Sequence, residues 1–180
     1  MAHRALLLDR DGVVNVDYGY VGDRSRFTFM DGIFPLARHA MDRGFRIAVI
    51  TNQSGIARGY FSENAFLELT GWMRTVFQAQ GVDLAGVFHC PYHRGGTVER
   101  YARDSFWRKP NPGMILDAAR RLDLDLARSV FLGDQPTDME AARAAGVERR
   151  VLLSSGNPTT EPAAATSVIR RLEDMIPTLR

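Results

Sequence analysis

ALLLDRDGVVN, Ala5 to Asn15, sets four apolar residues directly against Asp9, Arg10, Asp11 and Gly12. A short unbroken apolar run closed by a turn residue reads as a buried strand of a parallel sheet. Two carboxylates one residue apart at its C-terminal tip repel each other unless a cation or a shared proton compensates. Strand tips of that kind are also where open α/β sheets bind ligands. Taken alone, D-x-D-G is equally an acidic strand-to-turn junction, so the rest of the chain has to decide.

At 180 residues, 45% hydrophobic and 24% charged, the chain is long enough for one domain with a full core. A single domain over residues 1–180 is therefore the expectation. The formal net charge of +2 supplies no basic field for nucleic acid. One cysteine, Cys90, excludes an internal disulfide and suits a reducing cytoplasm. The N-terminal apolar run is too short for a signal peptide or a membrane span, so no membrane partner is expected. Of 23 basic residues only Lys109 is a lysine.

Outward from the first stretch, strands and helices alternate. Residues 16–22 form a Gly- and Tyr-containing loop, and residues 27–29 a short extended piece. Asp31 is placed to cap a helix from Gly32 to Arg43, stopped by Gly44. Phe45 to Ile50 is a second buried strand running into TNQSGIARG, Thr51 to Gly59. Ser62 caps an amphipathic helix, Glu63 to Ala79, with Phe66, Leu69, Met73, Val76 and Phe77 as its core stripe. Val87 to His89 is a third strand. A long aperiodic loop spans 90–108, and loops of that length in compact domains tend to be functional. Lys109 and a double-proline turn open a helix near Pro112. Ser129 to Leu132 is a fourth strand ending in GDQPTD, followed by a helix over 137–145. Arg150 to Leu153 is a fifth strand, residues 156–166 a loose tail, and 168–176 a last helix. This alternation predicts a Rossmann-like, doubly wound, mainly parallel sheet in three α/β/α layers without a separate cap domain.

In such a sheet the strand tips share one edge, which brings together Asp9, Asp11, Thr51, Asn52, Asp134, Asp138 and Lys109. A carboxylate group of this kind suits a hard divalent cation, and Mg²⁺ with several waters fits. Lys109 and the Thr51 hydroxyl are suited to phosphoryl oxygens. A compact ammonium reaches a phosphoryl oxygen and a carboxylate together where a planar guanidinium is too wide, a reason for the only lysine.

The order D-x-D-G, T-N after a strand, K-P, then G-D-x-x-x-D resembles the haloacid-dehalogenase (HAD) superfamily of aspartate-nucleophile phosphatases over roughly the first 150 residues. DRDGVVN, TNQSGIARG and RKPNPGM are similar to its cap-less members, the heptose bisphosphate and histidinol phosphate phosphatases, and TNQSGIARG with DGVVN favours the heptose branch. The resemblance implies a phosphorylated sugar as substrate, Asp9 as nucleophile, and Asp11 as general acid and base whose carbonyl also ligates Mg²⁺. It implies Asp134 as a further metal ligand, with Asp138 supporting the site or orienting Lys109. Thr51, Asn52 and Lys109 would bind phosphate, and Gln53, Ser54, Arg58 and Arg108 the sugar and a second phosphate. A cytoplasmic monomer is expected.

Two departures from the pattern matter. Relatives with RKP carry a zinc loop of Cys-x-His and Cys-x-Cys, whereas this chain has Cys90, Tyr92, His93, Ser105 and Trp107. Four-coordinate structural zinc cannot be built from that set, so no zinc is expected. Tyr92, Tyr101, Phe106 and Trp107 are expected to pack the loop instead. Gln135 stands where the heptose enzymes place a lysine, which leaves the anomer open. A histidinol phosphate phosphatase would share every catalytic residue. A non-catalytic receiver-like domain would share the acidic Mg²⁺ pocket and Lys-Pro, but GDQPTD follows that lysine here and the chain is long for a receiver. Asp11 argues against a dehalogenase, and four intact motifs argue against an inactive scaffold.

Overall fold

The computed structural model describes residues 2–154, 156 and 164–180. Strand β1 (Ala5–Leu8) is fully buried and lies in the middle of a six-stranded, all-parallel sheet of order β3-β2-β1-β4-β5-β6. The others are β2 (Arg46–Asn52), β3 (Leu84–Cys90), β4 (Val130–Gly133), β5 (Arg149–Leu153) and β6 (Ser167–Ile169). β1 pairs in register with both neighbours, Leu6 opposite Ile47 and Val130, Leu8 opposite Val49 and Leu132.

Because side chains alternate across a strand, these strands feed two cores. Leu6, Leu8, Ile47, Val49, Val130 and Leu132 pack on one face with helices α1 (Ile33–Asp42) and α3 (Glu63–Ala79). Ala5, Leu7, Ala48, Ile50, Phe131 and Leu152 pack on the other with α4 (Gly113–Leu122) and α5 (Pro136–Ala144). A short helix, α2 (Ser54–Ala57), follows β2. From β1 the chain winds outward to β2 and β3. It then returns to the other side of β1 and winds outward again through β4, β5 and β6. The reversal lies between β1 and β4, and their C-terminal tips open there.

Ser62 caps α3 as expected, its hydroxyl accepting the Ala65 amide at 3.0 Å. Four expectations change. Asp31 does not cap α1. Gly32, in the left-handed region at φ 85°, occupies that position without a side-chain bond, so the helix entry is a glycine turn. β2 and β3 run further than expected: Thr51 and Asn52 extend β2, and Leu84 to Gly86 and Cys90 extend β3 at its two ends, because each pairs with the neighbouring strand. The final helix expected over 168–176 is instead β6 followed by a 3-10 turn, Leu172–Thr178. The β-branched pair Val168 and Ile169 completes the sheet beside β5, and Pro177 interrupts the turn. The tail segment 157–163 lies outside the described residues. Finally, Tyr92 and Tyr101 pack with Ile56, Ala57 and Phe66, but Phe106 and Trp107 are 60% and 40% exposed. Packing of the 90–108 loop is therefore carried by the two tyrosines together with Val98. Tyr101 adds a polar anchor, its hydroxyl donating to Glu63 Oε2 at 2.6 Å while His89 Nε2 meets Glu63 Oε1 at 2.8 Å.

Candidate active site

Asp9 leaves β1 at the reversal point, its amide donating to Leu132 O of the adjacent β4. Its Oδ1 accepts the Arg10 amide at 2.7 Å and the Lys109 ammonium at 2.9 Å. Lys109 is 3% exposed and reaches the site from the turn before α4. Its Nζ also meets Asp138 Oδ1 at 2.6 Å and donates to Ile50 O at 2.9 Å, so all three ammonium protons have acceptors. Burial opposes its charge, but Asp138 and Asp9 outweigh burial and raise its pKa, so it stays protonated.

Asp138 is 1% exposed and tied twice. Besides holding Lys109, its Oδ2 accepts the Gln135 amide at 3.0 Å, capping α5. Asp9, Asp134 and Asp138 each offer a carboxylate oxygen, and these three atoms lie within 4.8 Å of one another. Burial, reinforced by Asp138 and Asp134, raises the Asp9 pKa well above the ordinary carboxylate range against the pull of Lys109. Asp134 is pushed up to about 6, chiefly by burial and by Asp138. Three carboxylates facing one ammonium are short of positive charge. Among the described residues Asp134 Oδ1 is buried without a hydrogen-bond partner. The site therefore fits a divalent cation held by Asp9 and Asp134, with the Asp138 side chain engaged behind them. Gly12, at φ 89°, backs this pair. A Cβ there would collide with the Asp134 carboxylate.

Asp11 points differently. Its Oδ1 accepts Arg10 Nη2 at 2.8 Å and Asn15 Nδ2 at 3.0 Å, and its Oδ2 accepts Gln53 Nε2 at 2.9 Å. Gln53 Nε2 also donates to the Thr51 hydroxyl at 2.8 Å. Asn52 makes a reciprocal pair with Lys109, its Oδ1 accepting the Lys109 amide and its Nδ2 donating to the Lys109 carbonyl. Both ends of that carboxamide thus position the lysine backbone.

A cavity of about 220 Å³ opens over these groups, walled by Asp9, Asp11, Lys109 and Asp134 and bordered by Tyr20 and Ser54. Thr51 is 1% exposed and does not line it. Arg58 and Arg108 also stand outside the lining. Arg58 lies 5.9 Å over the ring of Tyr20 and 3.3 Å from His93 Nε2, and Arg108 borders the neighbouring depression that shares Lys109. Arg58 Nε and Arg108 Nη1 are buried without a hydrogen-bond partner among the described residues. Reading motifs missed Tyr20, for which the sequence carries no signal. Arg10 and Asn15 were legible only as parts of DRDGVVN.

Fold and site together define a doubly wound α/β protein whose carboxylate-lysine centre is suited to a divalent cation and a phosphoryl group. Residues 106–179 match the family described as HAD-hydrolase-like. The D-glycero-alpha-D-manno-heptose-1,7-bisphosphate 7-phosphatase of Burkholderia mallei is 46% identical over 99% of this chain and 95% of its own length. The D-glycero-beta-D-manno-heptose-1,7-bisphosphate 7-phosphatase of Vibrio cholerae is 45% identical over 97% and 95%. The crystal structure of D,D-heptose 1,7-bisphosphate phosphatase from B. bronchiseptica, complexed with magnesium and phosphate, superposes with a TM-score of 0.84 at 29% identity, covering 98% of this chain and 97% of that one. The chain belongs to the haloacid-dehalogenase-like phosphatases, the family of phosphoric monoester hydrolases that these relatives represent.

Proposed function

We propose that this protein is a Mg²⁺-dependent phosphatase that removes the 7-phosphate of D-glycero-D-manno-heptose 1,7-bisphosphate through an aspartyl phosphate on Asp9. The observation that carries the reading is the juxtaposition of Asp9, Lys109, Asp134 and Asp138 at the β1/β4 reversal. Near-full-length relatives so named support the substrate.

Asp9 attacks phosphorus, forming a P–O bond as the sugar C–O–P ester breaks at phosphorus. The departing electron pair goes to the sugar oxygen, which takes a proton from Asp11. Water then attacks phosphorus and gives its proton to Asp11, and the pair returns to Asp9 as inorganic phosphate leaves. Lys109, kept charged by Asp9 and Asp138, stabilises the charge on the phosphoryl oxygens with Asn52 beside it, while Thr51, buried behind the lining, acts through its hydrogen bond to Gln53. Asp9, Asp134 and the Asp11 carbonyl would hold the divalent cation, which would neutralise charge on the phosphoryl group. Gln53 and Ser54 line the cavity on the side of the sugar, and Arg58 and Arg108, which lie outside that lining, supply positive charge nearby for the distal phosphate.

We read the chain as one domain, a cytoplasmic monomer without nucleic-acid or membrane partners. No described helix is long and apolar enough to cross a membrane. We also read the 90–108 loop as free of zinc, since Cys90 is the only thiol in the chain and burial raises its pKa, disfavouring the thiolate. Stoichiometric zinc in the purified protein would overturn that.

Phosphate release from both anomers of heptose 1,7-bisphosphate, histidinol phosphate, fructose 1,6-bisphosphate and an aryl phosphate tests the reading, with Mg²⁺, with chelator, and with Asp9→Asn. Expected is turnover of one heptose anomer that chelator and the variant abolish. Preference for histidinol phosphate would overturn the substrate, and phosphate binding without release the catalysis.

A further inference from the structure

Arg10 is the largest side chain wholly buried in the protein, 1% exposed, yet it carries a charge. An unpaired interior cation is costly, so its surroundings should show why an arginine stands there. Its guanidinium lies between two aromatic rings, 5.8 Å from the Phe27 centroid and 5.7 Å from that of Phe66. Nε and Nη1 make no hydrogen bond among the described residues. A methionine or leucine would satisfy that slot as packing. Only Nη2 is engaged by polar partners, and it reaches both Asp11 oxygens, at 2.8 and 3.0 Å, and Val21 O at 2.7 Å.

Asn15 and Gln53, 0% and 3% exposed, complete a ring of donors around the same carboxylate. Gln53 reaches on to Thr51, and Asn15 to Val16 O, so the ring is fixed to β2 and to the loop after β1. Asp11 itself follows a strand tip in a turn, and its rotamer is set by these three donors, of which Arg10 alone is a cation and alone reaches both oxygens.

We propose that Arg10 is a positioning residue that sets the orientation of the Asp11 carboxyl group, and thereby its proton transfer to the leaving sugar oxygen. The inference rests on the phosphatase reading above. It separates two kinds of ester. An alkyl phosphate needs its leaving oxygen protonated, whereas an aryl phosphate departs as a stabilised phenolate and needs little help. A residue serving only the fold would slow both alike.

The test compares kcat/KM, which reports steps up to phosphoryl transfer, for heptose bisphosphate and p-nitrophenyl phosphate. Arg10→Met is expected to lower the first about 30-fold or more and the second less than about 3-fold. Arg10→Lys, which keeps charge but not the fork, is expected between wild type and Arg10→Met in the ratio of the two. If Arg10→Met does not fold, Arg10→Lys reads the same ratio alone. In an Asp11→Asn background the Arg10 substitution is expected to change neither rate further. A parallel fall on both esters, or an undiminished effect in the Asp11→Asn background, overturns the inference while leaving the phosphatase reading intact. A wild-type protein that releases phosphate from neither ester overturns that reading and the inference with it.

Discussion

Asp134 is held up at about 6 by burial and by Asp138, above the ordinary carboxylate value near 3.8. Without metal, the folded state binds this proton more tightly than the unfolded chain does. The group therefore opposes folding fully above pH 6, and its penalty fades as pH falls from 6 toward 4. Asp134→Asn removes the penalty. In chelator at pH 7.5 the variant is expected to be about 2 kcal/mol more stable than wild type, a shift of roughly two pKa units at 1.36 kcal/mol each, reduced for partial exposure. Urea unfolding at pH 7.5, 6 and 4.5 checks it, and the gain should shrink across that series. An equal gain at every pH would mean that Asp134 is not the source of the strain. Lys109 behaves in the opposite sense, its raised pKa keeping it charged throughout this range.

At the scale of elements, α3 links the core to the loop over the site. Its stripe, Phe66, Leu69, Met73 and Phe77, is buried, with Thr70 taking the position beside Met73 while Val76 is only half-buried. Its first turn carries Glu63, the acceptor for Tyr101 and His89. Ser62→Ala removes the cap and is expected to cost about 1 kcal/mol in chemical denaturation with kcat unchanged. A cost near zero would mean that Glu63 and the tertiary contacts hold the helix start unaided. Helices α1, α3, α4 and α5 and the inner strands were legible because each has an apolar period bounded by a turn, cap or stop residue, whereas α2, a single turn, has no period to read. The strand ends Thr51 to Asn52, Leu84 to Gly86 and Cys90 were not legible, because their pairing is decided by the neighbouring strand. The same holds for β6, three residues that have no signal until β5 lies beside them.

Over the whole molecule, the acidic pair Asp9 and Asp134 joins the tips of β1 and β4, one from each half of the doubly wound sheet. A cation there binds only the folded chain. Mg²⁺ at 100 times its dissociation constant is expected to stabilise the protein by about 2.7 kcal/mol, visible as a rise in Tm. The rise should be absent in Asp9→Asn and Asp134→Asn. A rise of equal size in both variants would place the ion elsewhere.

The sequence by itself determined the alternation of strands and helices, the strand tips after which Asp9, Asp11 and Asp134 stand, the helix turn that carries Asp138, and the singular lysine. Each depends on local periodicity or on residue type, which a linear reading contains. Only the tertiary structure decided which carboxylates share Lys109, that Asn52 holds the lysine backbone, and that Arg10 turns inward to hold Asp11. It also left Phe106 and Trp107 exposed while burying Tyr101. Side-chain direction at a strand tip depends on partners from other parts of the chain, such as Lys109 for Asp9 and for Asn52, and the energies that choose among rotamers exist only once those partners arrive.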